Sequence, residues 1–138
     1  MNNKILLSLF VLVLPLLQIS SKEPKLKFLD KRVVDFKNIN RGDTLKYTLA
    51  FTNIGDEDLV IKSVNKSCTC TSSSVDKDVI KKGEIGYLRI NVSTDNQLGA
   101  IAVVVTLKTN ANPSSSIVRL NMNVVDKFYD PPQKTAKV

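Results

Sequence analysis

Residues Tyr47–Thr71, YTLAFTNIGDEDLVIKSVNKSCTCT, decide the fold. Tyr47, Leu49 and Phe51 recur at every second position and Thr48, Ala50 and Thr52 fall between them, which is the period of a half-buried strand. Asn53-Ile54-Gly55-Asp56 then predicts a chain reversal: Asn bonds neighbouring backbone, and Gly allows positive φ without steric cost. Leu59 and Ile61 open a second strand with both side chains on one face. A Cys68-Thr69-Cys70 pair closes the stretch.

The same grammar extends in both directions. Turn signals recur at Asn40-Arg41-Gly42-Asp43, Lys82-Gly83-Glu84, Asp95-Asn96 and Asn110-Ala111-Asn112-Pro113, the spacing of an all-β sandwich. Gly83 reads as a turn glycine of the positive-φ kind. Between the turns lie strand-like runs: Val33 to Phe36, Leu45 to Thr52, Leu59 to Val64, Ile85 to Val92, Ile101 to Leu107 and Ile117 to Val125. In the run from Ile85, Gly86, Leu88, Ile90 and Val92 share one side. In the last run Val118, Leu120, Met122 and Val124 point inward. Ile101 to Leu107 is almost wholly β-branched and apolar, so it is expected as a central strand covered on both faces or lying next to a partner surface. No segment longer than two turns keeps a helical period. The expectation is an all-β, immunoglobulin-like β-sandwich of about seven antiparallel strands, held by hydrophobic packing because no widely spaced cysteine pair is present to staple the sheets.

The amino-terminal 21 residues carry Lys4, an apolar run from Ile5 to Leu17 broken by Pro15, and the small residues Ser20 and Ser21, the layout of a secretory signal peptide cut after Ser20 or Ser21. The run falls short of the ~20 residues that cross a bilayer core. No cysteine stands near the junction, so a lipoprotein anchor is not expected. The organisation is then a signal peptide (1–21), an N-terminal basic segment (22–32), one immunoglobulin-like domain (33–125) and a disordered tail (126–138). The expected location is periplasmic or extracellular, soluble and not membrane-spanning after cleavage.

Composition excludes several function classes. The 138 residues carry a net charge of +7, yet the lysines are scattered and often sit beside acids, as in Asp76-Lys77-Asp78. No Lys/Arg cluster with interleaved aromatics is present, which argues against nucleic acid. Only Lys22, Lys25, Lys27, Lys31 and Arg32 form a basic stretch, suited to weak attraction toward anionic envelope surfaces. Histidine is absent, removing the commonest general base and the commonest zinc ligand. Ser72 to Ser74 and Ser114 to Ser116 read as solvated loops, and Asp56-Glu57-Asp58 as a solvated turn lacking the oxygen cluster of a calcium site. No enzyme activity, catalytic residue, metal site or cofactor is expected.

Cys68 and Cys70 are the candidate thiol pair. On a regular strand their Cα atoms would lie ~6.5–7 Å apart, at the far edge of disulfide geometry, so a bridge needs a local kink. Three readings stand: buried or locally bridged structural thiols, a redox exchange pair, or a copper(I) clamp with Met122 the sole thioether candidate in the domain.

Phe51-x-Asn53-x-Gly55, Leu59-x-Ile61, Ser67-Cys68-x-Cys70-Thr71, Lys82-Gly83-Glu84, Gly99 and Thr109-Asn110 together resemble a bacterial envelope family of unknown function with a Ser-Cys-x-Cys-Thr signature. That family is similar to the PapD-like, hydin and major-sperm-protein group of immunoglobulin-like domains, and the resemblance spans most of Phe36 to Val125. It implies a secreted, non-enzymatic domain and names no ligand. The leading functional expectation is a binding or adaptor module that offers a sheet edge or a sandwich face to another envelope protein, with Ala102-Val103-Val104-Val105 the first place to look. The alternative is a thiol-based redox accessory or copper(I)-binding protein using Cys68 and Cys70. Phe51, Asn53, Gly55 and Gly83 are expected to serve the fold.

Overall fold

The computed structural model describes residues 22–127; the expected signal peptide and residues 128–138 of the expected tail lie outside them. The chain is all-β, with no helix among the described residues and nine strands: β1 (Leu26–Phe28), β2 (Val33–Asn40), β3 (Thr44–Asn53), β4 (Leu59–Lys66), β5 (Thr71–Val75), β6 (Val79–Ile80), β7 (Ile85–Ser93), β8 (Gly99–Thr109) and β9 (Ser115–Val125). They form a four-stranded sheet, β1-β3-β7-β5, facing a five-stranded sheet, β2-β9-β8-β4-β6. This is the expected immunoglobulin-like sandwich.

The core follows from the two-residue period. Leu49 and Phe51 of β3, Leu88, Ile90 and Val92 of β7, Val103, Val105 and Leu107 of β8, and Val118, Leu120, Met122 and Val124 of β9 all lose essentially their whole surface to the interior. Gly86 belongs to this face for lack of space: a Cβ there would come within 2.7 Å of Ile80 Cδ1 and 2.8 Å of Phe51 Cζ. Every buried side-chain nitrogen and oxygen among the described residues has a hydrogen-bond partner.

Four details differ from the sequence expectation. Three short strands, β1, β5 and β6, raise the count above seven. The segment set apart as basic, 22–32, contributes β1, which pairs with β3. The run Ser72 to Ser74, expected as a solvated loop, lies in β5 and pairs with β7, and Ser115 and Ser116 of the other expected serine loop open β9 and pair with β8. Finally β2 runs parallel to β9, so the sandwich is not wholly antiparallel. Strands β1, β5 and β6 share a cause: an edge strand buries only one or two side chains, so it needs almost no apolar alternation.

Candidate functional site

Cys68 and Cys70 occupy the turn where the chain leaves one sheet for the other. They are joined as a disulfide with a Cα separation of 5.2 Å, so the required kink is present. Two hydrogen bonds shape it: the N–H of Thr71 donates to the Cys68 carbonyl (3.2 Å), and the N–H of Cys70 points at Cys68 Sγ (3.1 Å). The flanks tie the turn to both sheets. On the β4 side, Ser67 N–H donates to the Val104 carbonyl and Ser67 Oγ accepts from Val104 N–H, each at 2.9 Å. On the β5 side, the N–H of Ser93 in β7 donates to the Cys70 carbonyl (2.9 Å), and Thr71 is buried against the core. Ser67-Cys68-Thr69-Cys70-Thr71 is therefore a bridged strap between the sheets. Both cysteines are half-buried, and Cys70 lines two hollows that share Thr69 and Ser93, one of about 360 Å³ completed by Asn96 and Gln97 and one of about 330 Å³ that includes Lys66.

Asn53 does more than favour a turn. It is wholly buried, and its amide makes four hydrogen bonds. Oδ1 accepts from the N–H groups of Lys25 (3.1 Å) and Gly55 (2.9 Å), while Nδ2 donates to the carbonyls of Glu57 (2.7 Å) and Ile80 (3.0 Å). One side chain thus clasps the β1 lead-in, the β3–β4 turn and β6. Gly55 corrects the expectation of positive φ, which only Gly42, Gly83 and Gly99 adopt. Its requirement is close approach: a Cβ would lie 2.1 Å from the Glu23 carbonyl oxygen and 2.5 Å from the Lys25 nitrogen. Gly83 has φ 76° as expected. Phe51 packs edge-on to Phe28, with ring centroids 6.4 Å apart. Sequence reasoning missed a second amide clasp, Asn110, whose Oδ1 accepts from Val60 N–H (2.8 Å) and whose Nδ2 donates to the Asp58 carbonyl (3.0 Å). Its signals were membership in a turn and in the Thr109-Asn110 motif of the family resemblance, neither of which points to a side-chain clasp.

The aliphatic run Ala102–Val105 divides in two. Val103 and Val105 are core, and β8 is central, with β9 on one side and β4 on the other. Of the two expectations for this run, cover on both faces does not hold: Ala102 is exposed and Val104 half-buried. The β4 partnership is incomplete as well. It ends at the Lys66–Val105 pair, and Ser67 caps Val104 as the strap turns away. Val104 directs its backbone groups toward β4, so by strand alternation Ala100 and Ala102 do the same. Among the described residues neither finds a partner there. On the other flank of β8 from this open end, Ala100 and Ala102 line a trough of about 400 Å³ with Asn121 and Asn123 of β9 and Asp35 of β2; Asn121 Nδ2 donates to Asp35 Oδ1 (2.6 Å). The bridged turn and the aliphatic run thus meet at one place.

The charged groups elsewhere are structural. Lys77 donates to Glu84 Oε1 and the N–H of Lys81 to Glu84 Oε2 (3.0 Å), which hold the Glu84 carboxyl below the usual carboxylate range and, for Lys77, raise the ammonium above its ordinary value. Lys82 similarly lowers Asp56 through a hydrogen bond. Burial, then the nearby Asp30, raises the Tyr47 hydroxyl, which donates to the Lys31 carbonyl at 2.8 Å. Among the described residues no group of three or more Cys, Asp or Glu side chains is placed to hold a metal. No helix among them is long and apolar enough to cross a membrane.

Comparison with known proteins agrees with the fold. The family described as "Protein of unknown function (DUF1573)" matches residues 27–124. No curated protein matches the chain. Among solved structures, a protein of unknown function from Porphyromonas gingivalis W83 is similar at TM-score 0.65 and 19% identity, over 74% of this chain and 47% of that one. The VesB protease of Vibrio cholerae is similar at TM-score 0.58 and 14% identity, over 73% of this chain and 32% of that one. The human CEP192 ASH / PapD-like domain 7 is similar at TM-score 0.57 and 16% identity, over 83% of this chain and 96% of that domain. This chain spans about half or less of the first two proteins. At these identities the likeness is one of fold.

Proposed function

The chain belongs to the DUF1573 family, and from that premise we propose that it is an exported, non-enzymatic binding module that accepts an extended strand of another envelope protein at the open end of β8. The signal-like residues 1–21 support export. The observation that carries the binding reading is that the β4-side backbone of Ala100 and Ala102, in a central strand, has no partner among the described residues. Exposed strand groups of this kind pair with an incoming main chain, and pockets beside them select its side chains. The trough over the two alanines lies across β8 from that edge, where a long side chain of the incoming strand can reach it over the small alanine side chains. The strap fixes the opening, because Ser67 cannot follow β8 further while the bridged turn carries the chain into the opposite sheet.

The test is photo-crosslinking from Leu98, which is 59% exposed and sits at the mouth of the opening. The full chain in its native envelope is expected to yield a partner linked through one short extended segment. Ala102→Pro removes only the outward N–H, so the variant should fold while crosslinking falls about tenfold or more. Equal yield from the Ala102→Pro chain contradicts the reading.

A second reading, thiol exchange, draws on the half-buried bridge whose Cys70 lines two surface hollows, one of which includes Lys66. A copper(I) version needs both thiolates, and so prior reduction. Replacing both cysteines by serine separates the readings: partner binding that survives in the double variant assigns the bridge to structure, and loss of thiol or copper chemistry alone supports exchange.

A further inference from the structure

The two halves of the Cys68–Cys70 bridge differ. Cys70 lines both hollows beside the strap, and Cys68 lines neither. Their sulfurs also face different groups. The N–H of Cys70 points at Cys68 Sγ from 3.1 Å. Cys70 Sγ has only the Thr71 hydroxyl, at 3.7 Å, a longer contact in which either atom can be the donor. Cys70 packs against the core, and Cys68 stands outside that cluster. Lys66 is exposed and is the one charged side chain lining either hollow; among the described residues it makes no ion pair. Asp95 accepts from Ser93 Oγ at 2.6 Å but lines neither hollow.

The course of thiol–disulfide exchange depends on which sulfur an incoming thiolate reaches and on how well the departing thiolate is stabilised. Here both point the same way. A thiolate entering either hollow meets Cys70, and the negative charge that then develops on Cys68 already has the Cys70 N–H aimed at it. We propose that Cys70 is the point of attack and Cys68 the leaving sulfur in exchange with a dithiol, an assignment that rests on the thiol-exchange reading above. In the first step one thiolate of the dithiol bonds to Cys70 Sγ, the Cys68–Cys70 bond breaks, and its electron pair leaves on Cys68, which takes up a proton. In the second step the other thiolate attacks its neighbour in the mixed disulfide and frees Cys70, which is protonated in turn. Two electrons and two protons have then passed from the dithiol, now a disulfide, to the strap. Lys66 draws the anionic thiolate toward the hollow that it lines.

The experiment mixes the oxidised full chain with excess reduced glutathione, quenches with acid, alkylates the free thiols and locates the adduct within the peptide Ser67–Lys77 by fragmentation mass spectrometry. Glutathione on Cys70 with alkylated Cys68 is expected to exceed the reverse product about tenfold or more. Lys66→Gln should slow adduct formation about fivefold with glutathione at low salt, and less as salt rises. With cysteamine, whose ammonium offsets the thiolate charge, the variant should react like wild type. Reduced thioredoxin and dithiothreitol, compared by the rate at which the bridge opens, separate a protein dithiol from a small one as the source. Glutathione found chiefly on Cys68, or on both cysteines equally, overturns the assignment and leaves exchange itself standing. A bridge that none of these thiols opens overturns the exchange reading along with it. Equal rates for Lys66→Gln and wild type, or equal slowing with glutathione and cysteamine, overturn the role given to Lys66.

Discussion

Asn53→Ala leaves two N–H groups and two carbonyls in the interior without a partner, at ~1–3 kcal/mol for each group that water cannot reach. A loss of roughly 3–5 kcal/mol in unfolding free energy is expected from denaturant titration, large for one residue and within reach of unfolding a marginally stable domain. Gly55→Ala acts on the same clasp from the other side. Its Cβ would meet the backbone at Glu23 and Lys25, so the β1 lead-in must move, and a loss of about 2–4 kcal/mol with faster amide exchange in Leu26–Phe28 is predicted. Wild-type stability in both variants would remove the clasp from the account. The sequence marks both residues as turn-formers but cannot say that the amide reaches 27 residues along the chain to Ile80, since such a bond leaves no periodic trace.

Elements whose sequences alternate over five or more residues, β3, β7 and β9, were legible to within a few residues because half of each is core, and β8 was legible from its unbroken apolar run. The parallel pairing of β2 with β9, and β1, β5 and β6, were not, because pairing partners and edge strands are chosen by tertiary contact. The Cys68–Cys70 site was legible as a pair and as a place needing a kink; that it straps two sheets beside the open end of β8 was not, since Ser67–Val104 and Cys70–Ser93 are long-range contacts. Closing a loop of only about three residues removes little chain entropy, so Cys68→Ser/Cys70→Ser should lose about 1.5 kcal/mol. Thermal unfolding checks this, and a loss several times larger would make the bridge a main support of the sandwich. The Lys77–Glu84 pair fastens the β5–β6 connection to the start of β7 and gives a pH signature. Glu84, lowered chiefly by its Lys77 hydrogen bond, contributes stability above its unfolded pKa and loses it as pH falls through the lower folded value. Lys77, raised chiefly by Glu84, contributes below its unfolded pKa and loses that as pH rises through the higher folded value. Both groups are exposed, so Glu84→Gln should flatten each limb of the urea midpoint against pH only slightly, and less in high salt. Unchanged limbs at low salt would mean that the pair does not form in solution.

At the scale of the molecule, a sandwich whose buried side-chain polar groups all have partners among the described residues leaves its open hydrogen-bonding groups in one central strand that outruns its neighbour. Strand pairing at β8 is the central claim, and it turns on two amides. Residue-resolved hydrogen exchange on the purified full chain, and on the chain crosslinked through Leu98, reads them directly. The account predicts that Ala100 and Ala102 exchange on the order of a thousandfold faster than Ile101 and Val103 in the free chain, and become as protected as those neighbours in the adduct. Protection of both amides in the free chain, or exchange that stays fast in the adduct, would contradict it.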